Sequence, residues 1–142
     1  MALKNYTTTI SAEKSVSEIQ GKLAYAGAKK ILSEYDDTGN LVALSFQLKV
    51  GDSLIPFSLP TDWRPVAKVL EQQRAVPLKR LEEQARRTAW RIVKDWVDAQ
   101  LAIIETQMVT TEQVFLPYAV MNNGQSVYEH FAENEHLLLE EK

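Results

Sequence analysis

The stretch VALSFQLKV, residues 42–50, indicates the fold class because its side chains alternate in character. The apolar positions are Val42, Leu44, Phe46, Leu48 and Val50, and the residues between them are Ala43, Ser45, Gln47 and Lys49. A period of two is typical of a β-strand with one buried and one wetter face. Loops rich in Asp, Gly and Asn flank this strand, so residues 30–35 and 54–59 are predicted as its antiparallel neighbours. Pro56 cannot donate a ladder hydrogen bond, which predicts an edge strand there.

Helices are predicted on both sides of these strands. Ser11 is a suitable N-cap for a helix through about residue 26, and Gly27 is a suitable stop. The β-branched residues 6–10 predict a further strand before this helix. The expected order is β-α-β-β-β-α-α, an α+β domain whose antiparallel sheet of three to four strands packs against an N-terminal helix and a long C-terminal helix.

The long helix is expected to begin at Pro77 and to continue to about Met108, after a shorter helix over residues 63–73. Its apolar positions form two adjacent seams, one through Trp96 and one through Leu101. A face this wide predicts that the second half of the helix packs on another helix, either of the same chain or of a second copy, and a homodimer or higher homo-oligomer is expected. Residues 126–139 predict a final helix, with an acidic tail over 133–142 that is either flexible or docked by its leucines.

Composition is that of an ordinary globular domain, and residues 1–142 are expected to form one. No apolar run approaches the length of a membrane span, and the chain's start lacks the apolar stretch of a signal peptide. The chain contains no cysteine. These features predict a cytoplasmic protein without membrane association.

Basic charge is concentrated in one segment. All six arginines lie between positions 64 and 91, and residues 64–94 carry nine cations against three carboxylates, whereas residues 95–142 carry nine carboxylates against one lysine. Arginine binds phosphate in a bidentate manner, which makes this segment the candidate nucleic-acid site. Its predicted residues are Arg64, Lys68, Arg80, Arg86, Arg87, Trp90, Arg91 and Lys94.

Each predicted site residue has a role. Arg87, Arg91 and Lys94 share one side of the long helix and are expected to contact successive phosphates, with the other cations widening the strip. Trp90 borders the apolar face and is the candidate for stacking on a base. The alternative is a solvated helix face whose cations pair with carboxylates four residues away, and a core position for Trp90.

Catalytic and cofactor motifs are lacking in the sequence. Without cysteine a nucleophile would have to be serine, threonine or lysine, and none stands beside an evident base. Asp36, Asp37 and Asn40 resemble a metal-binding loop, but hairpin geometry alone explains them. No metal, no cofactor and no enzymatic activity are therefore expected.

Two resemblances concern function. Residues 11–73 follow the helix-strand-strand-strand-helix order of double-stranded-RNA-binding domains; the similarity is topological, and the histidine-containing loop of that family is absent. Residues 6–128 resemble a family of small uncharacterised bacteriophage and prophage proteins. The segments that carry this resemblance are YDDTGN at 35–40, IPFSLP at 55–60, AWRIVKDW at 89–96 and VFLPY at 114–118. The second resemblance implies a setting in phage DNA recombination and replication.

Three functions are consistent with these observations. The first is sequence-tolerant binding of single-stranded nucleic acid, with the acidic C-terminus contacting replication or recombination proteins. The second is a phage counter-defence protein that binds a small anionic nucleotide or a host protein. The third is a structural, oligomerising interaction module, which predicts that Trp96→Ala or Leu101→Glu breaks assembly whereas Arg87→Glu leaves function intact.

Overall fold

The structure is a computed structural model and describes residues 2–141. Three antiparallel strands, β1 (Lys30–Tyr35), β2 (Leu41–Val50) and β3 (Ser53–Ser58), form a sheet in the order β1-β2-β3. The helices are α1 (Ala12–Tyr25), α2 (Arg64–Gln72), α3 (Leu81–Glu105), α4 (Thr111–Phe115) and α5 (Val127–Ala132), with short 3-10 helices at Leu78–Arg80, Leu116–Tyr118 and Glu135–Leu137. The predicted α+β class, with an N-terminal helix and a long C-terminal helix, is confirmed.

The central strand β2 has the predicted alternation, with Leu44, Phe46 and Leu48 buried. Phe46 lies opposite Ile31 on β1 and Phe57 on β3, and its ring stacks on that of Phe57 at a centroid distance of 5.4 Å. β3 is an edge strand, as Pro56 predicts. This register directs the apolar face of the sheet toward the helices and creates the core.

Helix α1 begins and ends where its sequence predicts. The Ser11 hydroxyl accepts a hydrogen bond from the Lys14 backbone N–H at 3.1 Å. Gly27 adopts a φ of 108°, and the next residue's N–H donates to the Leu23 carbonyl, so the helix ends in a left-handed turn that glycine permits.

The predicted N-terminal strand at residues 6–10 is wrong. The Tyr6 N–H donates to the Leu3 carbonyl and the Thr8 N–H to the Asn5 carbonyl, which makes a turn. The carbonyls of Tyr6 and Thr8 accept hydrogen bonds from the Gln84 side-chain amide, each at 3.0 Å. Side chains of α3, rather than a neighbouring strand, satisfy this backbone, so β-propensity is overridden by tertiary contacts.

Helix α3 is uninterrupted over Leu81–Glu105, as predicted, but the turn expected to begin it forms the separate 3-10 helix Leu78–Arg80. Trp96 makes edge-to-face contacts with Phe115 at 5.7 Å and with Tyr118 at 5.5 Å. The helix expected to cover this face is therefore α4 of the same chain. Trp96 packs on its own chain, so its substitution is expected to disturb this packing, and its effect on assembly stays a prediction.

The C-terminal helix is shorter than predicted. Ser126 and Glu129 form a capping box that starts α5, but the side-chain amide of Asn134 donates to the His130 carbonyl at 2.8 Å and Asn134 leaves the helical conformation. Leu137 and Leu139 are exposed. The alternative in which the leucines dock the tail is thus wrong for the described residues.

Candidate nucleic-acid interface

The predicted phosphate-contacting residues of α3 are already paired with the protein's own carboxylates. Arg91 Nη1 lies 2.9 Å from Glu18 Oε2 on α1 and 3.3 Å from Ser15 Oγ. Lys94 Nζ lies 2.6 Å from Asp98 Oδ2. Only 14% of the Arg91 side chain and 17% of the Lys94 side chain are exposed. These two cations join α1 to α3 and do not face outward, so the prediction of a free strip on α3 is wrong.

Asp98 is the main anchor of this network. Its Oδ1 lies 2.7 Å from Lys22 Nζ on α1, so one carboxylate is placed between two lysines. Burial alone would raise the pKa of Asp98, but the hydrogen bonds and charges of Lys22 and Lys94 outweigh it and hold the pKa below its ordinary value. A phosphate that approached Lys94 would have to displace this carboxylate.

Arg87 and Arg86 follow the same pattern on the first half of α3. Arg87 pairs with Glu83 one turn earlier, the local pairing that the sequence left open. Arg86 Nη2 lies 3.0 Å from Glu82 and 3.9 Å from Asp36 in the β1–β2 loop, and its guanidinium carbon lies 4.6 Å above the Trp63 ring. Arg86 therefore ties α3 to the hairpin loop and to the start of α2.

Trp90 is buried, with 3% of its surface exposed, and belongs to the central apolar cluster. Its expected role in stacking on a base is wrong for this conformation, because stacking requires an exposed ring. Helical periodicity predicted a position for Trp90 at the border of the apolar face of α3. In the structure Trp90 lies within the central apolar cluster, so the buried face of α3 is wider than predicted.

Arg64, at the start of α2, is exposed but paired. Its Nε lies 2.9 Å and its Nη2 3.1 Å from the two carboxylate oxygens of Asp62, a bidentate contact. Hydrogen bonds from the Arg64 side chain and backbone lower the pKa of Asp62, which stays ionised and neutralises the guanidinium. The available donors of Arg64 are correspondingly fewer than the sequence predicts.

Four exposed cations of residues 64–94 lack the internal partners that the cations described above have. Lys68, Arg74, Lys79 and Arg80 form no side-chain hydrogen bond or ion pair with any residue in the described range 2–141. They lie on α2, on the turn after it, and on the 3-10 helix that leads into α3. We call these four residues the basic corner. Two of them, Lys68 and Arg80, were predicted as site residues, and Arg74 and Lys79 were not.

Backbone geometry separates Arg74 from the paired arginines of α3. Arg74 has a φ of 52°, and the following N–H donates to the Leu70 carbonyl, so α2 ends in a left-handed turn. Pro77 keeps residues 74–77 outside both helices. Pairing between neighbours three or four residues apart is a property of continuous helix, and Arg74 lies beyond the end of α2, outside the helical spacing that would favour a pair with Glu71. The Arg-Ala-Val-Pro sequence at 74–77 is the signal that could have identified Arg74.

The β1–β2 loop resembles a metal-binding loop in sequence, but its Asp36 carboxylate stabilises the turn itself. Asp36 Oδ1 accepts hydrogen bonds from the Thr38 hydroxyl at 2.7 Å and from the backbone N–H groups of Thr38 and Asn40, each at 2.9 Å. The hydrogen bond from the Thr38 side chain is the main cause of a lowered Asp36 pKa. Hairpin geometry therefore accounts for the sequence of this loop.

A groove of about 760 Å³ lies between the second halves of α1 and α3, with Tyr25, Leu101 and Ile104 among its apolar residues. Its charged lining consists of Glu18, Lys22, Asp98 and Glu105. With three carboxylates and one lysine, the groove has the wrong charge for a nucleotide phosphate. It gives no support to the hypothesis of a small anionic ligand.

Comparisons with protein-family models, with curated proteins and with solved structures found no match to this chain. Of the helices within residues 2–141, none has the length and apolar character required to cross a membrane.

Proposed function

We propose that this protein is a non-enzymatic, sequence-tolerant binder of single-stranded nucleic acid, and that the basic corner contacts the phosphates. The observation that carries the proposal is the lack of internal partners for Lys68, Arg74, Lys79 and Arg80, in contrast to the paired cations of α3. When unpaired cations neutralise phosphates, the counterions condensed on the nucleic acid are released, and this release is the main source of sequence-independent affinity.

The burial of Trp90 changes the mode of binding. Trp90 cannot stack and the basic corner itself contains no aromatic residue, so the bases contribute little there, and affinity follows the number of phosphates rather than base identity. The basic corner spans the bend between α2 and α3. A single strand is the favoured ligand because its flexible backbone can follow such a bend, whereas a duplex is stiff over this length.

The biological setting of the proposal is phage DNA replication or recombination in the host cytoplasm, and it rests on the resemblance to phage proteins described above. The acidic residues after α5 are available for a protein partner in that setting. Among the described residues, Glu135, Glu140 and Glu141 lie in this exposed tail.

Fluorescence anisotropy with a labelled oligonucleotide of about 20 nucleotides tests the proposal. The double variant Lys68→Gln/Arg80→Gln should bind about 25-fold more weakly than the native protein at 0.1 M salt, since each phosphate contact contributes roughly fivefold there. The matched control is Lys29→Gln/Lys30→Gln, which removes the same charge from two exposed lysines at the start of β1. Equal losses in the two variants, or no binding by the native protein at low salt, would reject the basic corner as the site.

A further inference from the structure

The outward side of α1 carries one continuous row of exposed residues. Lys14, Ser17, Gly21 and Tyr25 are spaced by three, four and four positions and lie within about 80° of the helix circumference. Tyr25 is 95% exposed, although it lies on an ordered helix and lines the apolar groove between α1 and α3. An aromatic side chain this exposed beside an apolar groove is typical of an interaction surface.

Gly21 is unexplained by the fold of a single chain. It lies in the interior of a 14-residue helix, where glycine is unfavourable. A Cβ atom at this position would have no neighbour within 4 Å, so no internal contact requires glycine here. The absent side chain leaves the α1 backbone open to close approach by another helix.

The charges around this surface fit a second copy of the same chain. Glu18 and Asp98, which line the groove, are paired with Arg91 and Lys22, so two such faces do not repel each other. On this surface, Lys14, near the start of α1, and Glu105, which lines the groove at its other end together with Tyr25, have no ion-pair partner within residues 2–141. The C-terminal end of α1 adds partial negative charge at that same end.

We infer that two copies associate through antiparallel α1 helices that cross at Gly21 on a two-fold axis. In this arrangement the residue n positions before Gly21 lies opposite the residue n positions after it in the second copy. Tyr25 then lies over Ser17 of the second copy, at the rim of its groove. Lys14 meets the C-terminal end of the opposite α1, close to Glu105 of the second copy, and each contact occurs twice.

This inference goes beyond the proposed nucleic-acid binding and does not depend on it. It also replaces the expected oligomer surface, since the Trp96 side of α3 is covered by α4 of the same chain. Only the Leu101 and Ile104 side, which lines the groove, remains part of the interface.

Site-directed cross-linking tests the arrangement directly, because the native chain contains no cysteine. In Gly21→Cys the two sulfurs meet on the axis, within the span of about 4.4–6.8 Å between Cα atoms that a disulfide requires. In the control Lys14→Cys the two positions are 14 residues apart along the paired helices, or about 21 Å. Mild oxidation and non-reducing electrophoresis should give a covalent dimer for Gly21→Cys and none for Lys14→Cys. A dimer band of equal strength in both variants, or in neither, would overturn the inference.

Gly21→Gln provides a second measurement that misfolding cannot explain. Glutamine is a better helix former than glycine and the position is open, so the thermal midpoint of the monomer should stay the same or rise. The dimer dissociation constant, measured by sedimentation, should rise by about tenfold or more because the helices can no longer approach. The charge reversal Lys14→Glu should weaken the dimer, and Lys14→Glu/Glu105→Lys should restore it. A native protein that sediments as a monomer at all concentrations, or a Gly21→Gln variant with unchanged affinity, would contradict the two-fold pairing.

Discussion

The salt dependence of oligonucleotide binding distinguishes the basic corner from the strip on α3. For single strands, log K falls with log salt with a slope of about −0.7 per phosphate contacted, so four free cations predict a slope of about −2.8. Affinity should then fall about 50-fold between 50 and 200 mM salt. If all nine cations of residues 64–94 contacted phosphates, the slope would be about −6.3 and the loss several thousandfold.

Two matched substitutions sharpen this prediction. Arg80 and Arg87 are seven residues apart, about two helical turns, and differ mainly in their partners, since Arg87 is paired with Glu83. Arg80→Gln should reduce the magnitude of the slope to about 2.1, and Arg87→Gln should leave it at about 2.8. Anisotropy titrations at five or six salt concentrations measure both values. A slope reduced equally by the two substitutions would refute the argument that internal pairing removes Arg87 from the site.

The remaining predictions concern stability. Phe115→Ala should lower the free energy of unfolding by about 3–5 kcal/mol in urea denaturation, because the ring is fully buried against Phe46 and Trp96. Arg91→Met should lower it by about 1.5–3 kcal/mol, since Glu18 loses a charged hydrogen bond; an unchanged midpoint would show that this pair does not join α1 to α3. The pKa of Asp98 is lower in the folded than in the unfolded protein, so its contribution is present above the unfolded pKa of about 3.8 and is lost as pH falls through the folded pKa. Asp98→Asn should therefore flatten the decline of stability below about pH 4, measured as urea midpoints across the acid range.

Part of the candidate site could be predicted from the sequence because it depends on near neighbours. The pairing of Arg87 with Glu83 follows from their spacing on a helix, and it was one of the alternatives left open. The partner of Arg91 could not be predicted in this way. Asp95 is four residues away, yet it accepts a hydrogen bond from the Asn5 amide and lies 3.5 Å from Lys4, while Arg91 pairs with Glu18, which is 73 positions distant in the chain.

The sequence by itself determined the antiparallel strands, the bounds of α1 and the unbroken course of α3, because periods of 2 and 3.6 residues and capping residues act over a few neighbours. Only the tertiary structure decided that residues 6–10 form a turn, that Trp90 is buried, and which cations remain free to bind. Each of these depends on a group from a distant part of the chain. A charged side chain is available to a ligand only if folding brings no opposite charge to it, and local spacing does not contain that information.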